Sequence, residues 1–232
     1  MKGSKRYLLG LLILFWVIST DAQNTGENTL GAWYVYFGTN TLSDKLSFHS
    51  ELQYNVYEVT SHLEQFWAIT ALNYAVAQNA QASLGYGYFN GDPTFEDTPL
   101  EKNTWENRIF EQFTHSTRIG KFGLQNRYRI EHRFIELPAQ SITRHRVRGR
   151  LQVNYPLTEK WFLIAFDEIF LDLREPVFNQ NRLFGALGRR ITQDIAIQVG
   201  YMKLHLPGRA YDRLQLVLNI NTDLRKKQPE TN

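Results

Sequence analysis

Residues 127–151 alternate with a period of two. Arg127, Arg129, Glu131 and Arg133 interleave with Tyr128, Ile130, His132 and Phe134, and Arg144, Arg146, Arg148 and Arg150 follow, interleaved with Val147, Gly149 and Leu151. Successive side chains of a β-strand point to opposite faces, whereas a helix would repeat every 3.6 residues, so this pattern demands strands. One face is densely charged and the other is apolar. The fold must therefore give each face a different solvent.

The N-terminus says where such a chain goes. Lys2, Lys5 and Arg6 precede an almost unbroken apolar run from Tyr7 to Ile18, and Thr20-Asp21-Ala22 supplies small residues where a signal peptidase cuts. The expected division is a signal peptide over 1–22 and a single domain over 23–232. An apolar run of about a dozen residues is short of the roughly 20 that a spanning helix needs. The chain carries 26 Lys+Arg and 23 Asp+Glu. The leader removes Lys2, Lys5, Arg6 and Asp21, so the mature charge is close to neutral and argues against nucleic acid as a partner. The absence of cysteine fits an exported protein without disulfides, and excludes a lipid-modified N-terminus and thiolate chemistry.

Alternating segments of about ten residues fill the mature chain. They are the strand beginning at Leu46, then 66–74, 80–88, 105–116, 124–134, 143–155, 161–172, 182–190, 195–204 and 211–220, with Ala32 to Phe37 as a further candidate of awkward parity. Either residues 23–30 lead toward a twelfth crossing, or this first segment tucks into the lumen. The links, read as 58–63, 78–79, 90–104, 117–121, 136–142, 156–160, 173–179, 191–194 and 205–210, run longer and shorter by turns. That matches barrels with short periplasmic turns and longer external loops. The expected fold is all-β: a closed antiparallel up-and-down transmembrane β-barrel of ten to twelve strands. Its apolar face meets lipid, its polar face fills the lumen, and closure pairs every backbone group. Tyr57, Trp67, Trp105, Phe122, Phe134, Tyr155, Trp161 and Phe170 are candidates for interfacial girdles.

Several short motifs follow one another along the chain: Glu106-x-Arg108, Arg127-x-Arg129-x-Glu131-x-Arg133-Phe134, Arg146-x-Arg148-x-Arg150, Asp167-Glu168-Ile169-Phe170, Asn179-Gln180-Asn181-Arg182 and Gly200-Tyr201-Met202. Taken in this order, they resemble a family of Gram-negative outer-membrane barrels known as domain of unknown function 2490. The resemblance covers about Gly31 to Asn221. It implies a barrel in the outer membrane and no particular activity.

The candidate lumen-lining network comprises Glu106, Arg108, Arg127, Arg129, Glu131, Arg133, Arg144, Arg146, Arg148, Arg150, Glu168, Asp172 and Arg182. Across a hairpin turning at 136–142, Glu131 should face Arg146 and Arg129 should face Arg148, with Glu106, Glu168 and Asp172 as the carboxylates the arginines still need. Two roles follow for such a wall: it fills a narrow barrel, or it lines a small anion-favouring pore. The alternative class is an outer-membrane lipase or protease using His132, His145 or His205 with Ser141, Asp172 or Glu175. His62 beside Ser61 reads as a solvated loop residue. No catalytic set is assigned, no cofactor is expected, and no histidine pair has a metal-ligand spacing. The acidic stretch from Asn90 through Asp92, Glu96, Asp97 and Glu101 lacks the ordered spacing of a calcium loop. Expected partners are outer-membrane lipid and lipopolysaccharide and the barrel-assembly machinery, with a small solute as a further candidate. Glu111, and one of Asp167 and Glu168, fall on the lipid side unless a bulge resets the register.

Overall fold

The structure, a computed structural model, describes residues 26–95 and 103–225; the expected signal segment 1–22 and most of the acidic stretch lie outside them. Among the described residues, eleven strands form one closed barrel. They are β1 (Leu30–Thr41), β2 (Leu46–Val56), β3 (Leu63–Ala77), β4 (Ala80–Gly91), β5 (Thr104–Ile119), β6 (Phe122–Leu137), β7 (Gln140–Pro156), β8 (Trp161–Asp172), β9 (Phe178–Arg190), β10 (Ile195–Leu206) and β11 (Arg209–Asp223). Every expected strand is present and most run longer at one or both ends.

Neighbours in sequence pair antiparallel from β1 through β11. The awkward segment Ala32 to Phe37 is neither plug nor prelude to a twelfth strand. It is β1, a full member of the wall, and it closes the barrel by pairing parallel with β11 from Leu30↔Asp212 to Thr41↔Asp223. An odd number of up-and-down strands forces this: the first and last run the same way, so their seam cannot be antiparallel. The expectation of an all-antiparallel sheet is corrected at that seam alone.

Parallel closure also puts the start of β1 and the end of β11 on opposite rims. One rim carries the links 42–45, 78–79, 120–121, 157–160 and 191–194 and the C-terminal end of β11; we call it the turn rim. The loop rim carries 57–62, 92–95, 138–139, 173–177 and 207–208, the end of β4 and the starts of β1 and β5. The regular alternation of long and short links does not hold. Residues 136–142 and 205–210 are mostly strand, pinched at Pro138-Ala139 and Pro207-Gly208. Gly208, at φ 76°, takes the left-handed conformation that this tight turn requires.

Side-chain alternation sorts residues as the period-two argument requires. Leu52, Leu72, Leu84, Ile109, Tyr128, Ile130, Leu151, Leu163, Ile169, Leu183, Leu187, Val199, Leu216 and Leu218 point outward and are exposed, giving an apolar belt around the wall. Of the expected girdle, Trp105 and Phe134 point outward near the loop rim, and Phe122, Tyr155 and Trp161 do so near the turn rim, where the Phe122 and Tyr155 rings lie 5.0 Å apart. Tyr57, Trp67 and Phe170 are instead buried on the inner side. They share strand parity with lumen residues, so a girdle role is excluded for them.

Candidate functional site

The inner wall of β5 to β9 gathers the arginines. The hairpin register places Glu131 opposite Arg146 and Arg129 opposite Arg148, and β7–β8 pairing puts Glu168 opposite Arg150. Glu131 is completely buried. Its Oε2 accepts from Arg146 Nη2 at 2.6 Å and Nε at 2.8 Å, and its Oε1 accepts from Arg148 Nη1 at 2.6 Å and Arg108 Nη1 at 3.3 Å. Arg129 Nη1 stands at 3.7 Å. One carboxylate thus gathers four guanidiniums, an arrangement that low local polarity makes strong only because both oxygens are saturated.

Two further carboxylates extend the cluster in opposite directions. Glu168 accepts from Arg127 Nη2 at 2.6 Å and from Arg148 at 2.9–3.0 Å. Glu106 holds Arg133 in a two-point contact at 2.8 Å and Arg108 at 2.7 Å. Asp172 reaches Arg146 indirectly. Asn179 Nδ2 donates to its Oδ2, and Arg146 Nη1 donates to Asn179 Oδ1, both at 2.9 Å. Asn179 is free to do this because the β8–β9 ladder bulges there, pairing Phe170 with Gln180 and Leu171 with Phe178.

Aromatic rings complete the packing. Arg108 lies 3.7 Å from the centroid of Phe89, Arg129 4.0 Å from Phe110 and Arg148 4.1 Å from Phe170; Arg182 lies 4.6 Å from Phe170 and 4.9 Å from Trp33. A flat ring presents its negative face to a guanidinium, and both surfaces shed water in the contact. Phe110 can lie flat because Gly85 faces it across β4–β5; a Cβ there would overlap the ring. Charge and aromatic area therefore alternate through the middle of the lumen.

The two halves of the lumen differ. Toward the loop rim Trp33, Asn55, Phe89, Glu106, Glu131, Arg146, Phe170, Met202, Leu204, Tyr211 and Arg213 are all buried. Arg213 is fully buried, bonds Glu64 at 3.0 Å and lies over Tyr211. Tyr57 packs against Phe95 and Tyr211 at the mouth, and Thr29 Oγ1 donates to its carbonyl at 3.0 Å. Toward the turn rim the inward side chains of Gln112, Thr114, Gln125, Arg127, Arg150, Gln152, Asn154, Phe162 and Phe166 are only half-buried. They surround a cavity of about 650 Å³. Its inner end is made by Arg108, Arg148 and Arg182 with Trp33 and Trp67.

Twelve of the thirteen network residues expected from the sequence meet inside the barrel. Arg144 stands apart on the protruding β6–β7 hairpin and donates to the carbonyl of Thr143 at 3.2 Å. Reading polarity alone missed the aromatic half of the site, although Phe110 sits between Arg108 and Gln112 and Phe170 between Glu168 and Asp172, at lumen parity. The histidines considered for hydrolysis lie on the outer face. His132 Nδ1 is 2.9 Å from His145 Nδ1, and its Nε2 is 3.2 Å from Glu111. Those partners answer the outward Glu111 but bring no hydroxyl to either ring. Asp167 is the outward member of its pair and is bonded by Asn181; Glu168 points in. Of the acidic stretch, Glu96, Asp97 and Glu101 lie outside the described residues.

The charged motifs that meet in this cluster run from Glu106 to Arg182. A family model described as protein of unknown function (DUF2490) matches residues 30–215. The chain belongs to that family. The DUF2490 match covers β1 to β10 and ends within β11 at Gln215, so it takes in the whole arginine sector. No curated protein and no solved structure matches the chain.

Proposed function

We propose that this DUF2490 chain is an exported, integral outer-membrane barrel whose lumen is sealed across its loop-side half. It then acts as a structural, closed-ended barrel and not as a through-pore. The observation that carries this reading is the complete burial of Glu131 among four arginines at the middle of the lumen. A hydrated pore at that level would leave the carboxylate wet. Membrane placement is supported by the outward apolar belt. Soluble monomers rarely expose contiguous apolar patches beyond a few hundred Å². In this orientation the turn rim faces the periplasm, as short turns do in outer-membrane barrels. Lipid and lipopolysaccharide then contact the belt, and the barrel-assembly machinery inserts it.

The test is planar-bilayer recording on purified mature protein. Silence at all voltages is expected, together with resistance to SDS until boiling. Stepwise anion-favouring conductance, reduced by Arg148→Glu, would replace the sealed barrel with a pore; a mature chain found soluble in the periplasm would remove the membrane reading itself.

A further inference from the structure

We propose that the turn-rim chamber binds a small organic anion: a phosphate or carboxylate head on an apolar body. The inference deepens the closed-ended reading above and rests on it for the side from which the ligand enters. Six arginines and two glutamates, Glu51 and Glu168, line the chamber. Its volume of about 650 Å³ lies within the range of small-molecule sites, roughly 300–1,000 Å³.

The head-group site is Arg127 and Arg150. They stand directly opposite each other across β6–β7, a like-charge pairing that destabilises a sheet unless an anion lies between. Arg127 Nη2 uses one oxygen of Glu168, which Arg148 shares. Arg150 takes part in no ion pair among the described residues. Its Nη2 donates to Gln125 Oε1 at 2.8 Å. The Nε of both arginines is buried without a hydrogen-bond partner. Donors left so are costly unless something accepts from them, and guanidinium forks match phosphate and carboxylate oxygens.

Other parts of the chamber wall are apolar. Phe37, Ile69, Phe162, Ile164, Phe166 and Val217 line it, so a ligand whose head meets the arginines can lay an apolar body on these side chains. A bilayer lipid cannot reach the head-group site without leaving the membrane, because both arginines point inward. The occupant is accordingly a soluble solute entering from the turn rim.

Calorimetric titration of the full mature protein in zwitterionic nanodiscs, with empty discs as the blank, tests this with phenyl phosphate, benzoate, inorganic phosphate and phenol. Saturable one-to-one binding of phenyl phosphate or benzoate is expected, with inorganic phosphate and phenol weaker. Arg127→Gln and Arg150→Gln should each weaken it about tenfold to a hundredfold, the loss of a charged hydrogen bond, while retaining the heat-modifiable gel shift of a folded barrel. No saturable binding by the wild type, or equal binding by both folded variants, would overturn the site. Inorganic phosphate binding as tightly as phenyl phosphate would overturn the apolar half of the proposal. Conductance decides the seal and titration decides the site, so the two can fail separately.

Discussion

Glu131→Gln is the most informative single change, because the geometry says which charge it strands. Arg108 keeps Glu106 at 2.7 Å, Arg148 keeps Glu168 at 2.9 Å and Arg129 keeps the Gln112 side-chain oxygen at 2.7–2.9 Å. Arg146 keeps the Phe170 ring at 4.9 Å and, as acceptor, the neutral Asn179, with Asp172 beyond it. Arg129 too keeps only a neutral acceptor, but it stands 3.7 Å from Glu131, so the loss falls chiefly on Arg146, whose two bonds to Glu131 are broken; breaking a buried pair costs roughly 3–5 kcal/mol. Glutamine retains one acceptor oxygen, so the lower end of that range is expected. Adding Arg146→Gln removes the stranded charge, and the double variant should recover about half of the loss, roughly 1.5–2.5 kcal/mol; this recovery plus the loss measured for Arg146→Gln alone gives the coupling energy. Urea unfolding of the barrel in lipid vesicles, followed by tryptophan fluorescence, measures all four corners of the cycle; if unfolding is irreversible, unfolding rates replace midpoints. A loss below about 1 kcal/mol for Glu131→Gln would equal that of a surface ion pair. Such a result would mean that water reaches the cluster, and the sealed lumen would be wrong.

Three other outcomes follow from the packing. Gly85→Ala should destabilise by about 1–3 kcal/mol by overpacking Phe110, and Phe110→Leu in the same chain should return part of that. Gly149→Ala is the control: its Cβ would meet only Ile169 at 3.9 Å, and unfolding should change by less than about 0.5 kcal/mol. Because the chain has no cysteine, single thiols report rim topology cleanly. A membrane-impermeant maleimide on intact cells should label Glu175→Cys at the loop rim and spare Thr192→Cys until the outer membrane is permeabilised. The reverse pattern would invert the barrel, and equal labelling would remove it from the membrane.

Much of the architecture was legible because side-chain alternation is a local property. The parity of Arg127 to Arg150 separates lumen from exterior with no knowledge of the rest of the chain, and the turn between β6 and β7 leaves one register that pairs Glu131 with Arg146. Links were less legible. Residues 136–142 and 205–210 carry Pro and polar groups that suggest loops, yet neighbouring strands extend their ladders to Pro138-Ala139 and Pro207-Gly208. Trp67 and Phe170 differ from expectation for a related reason: position near a segment end suggests a membrane interface, but parity and the depth of the facing strand decide whether a ring meets lipid or arginine.

The sequence by itself determined that the chain makes about ten alternating strands, which face of each is charged, and which carboxylates could answer the arginines. Each of these depends on neighbours within a strand or a hairpin. The tertiary structure alone decided that eleven strands close through a parallel β1–β11 seam, that the start of β1 and the end of β11 lie on opposite rims, and that one half of the lumen is filled while the other holds a chamber. Those features depend on where strands distant in sequence sit along the barrel axis, since a side chain is buried in a lumen only by what projects from the opposite wall.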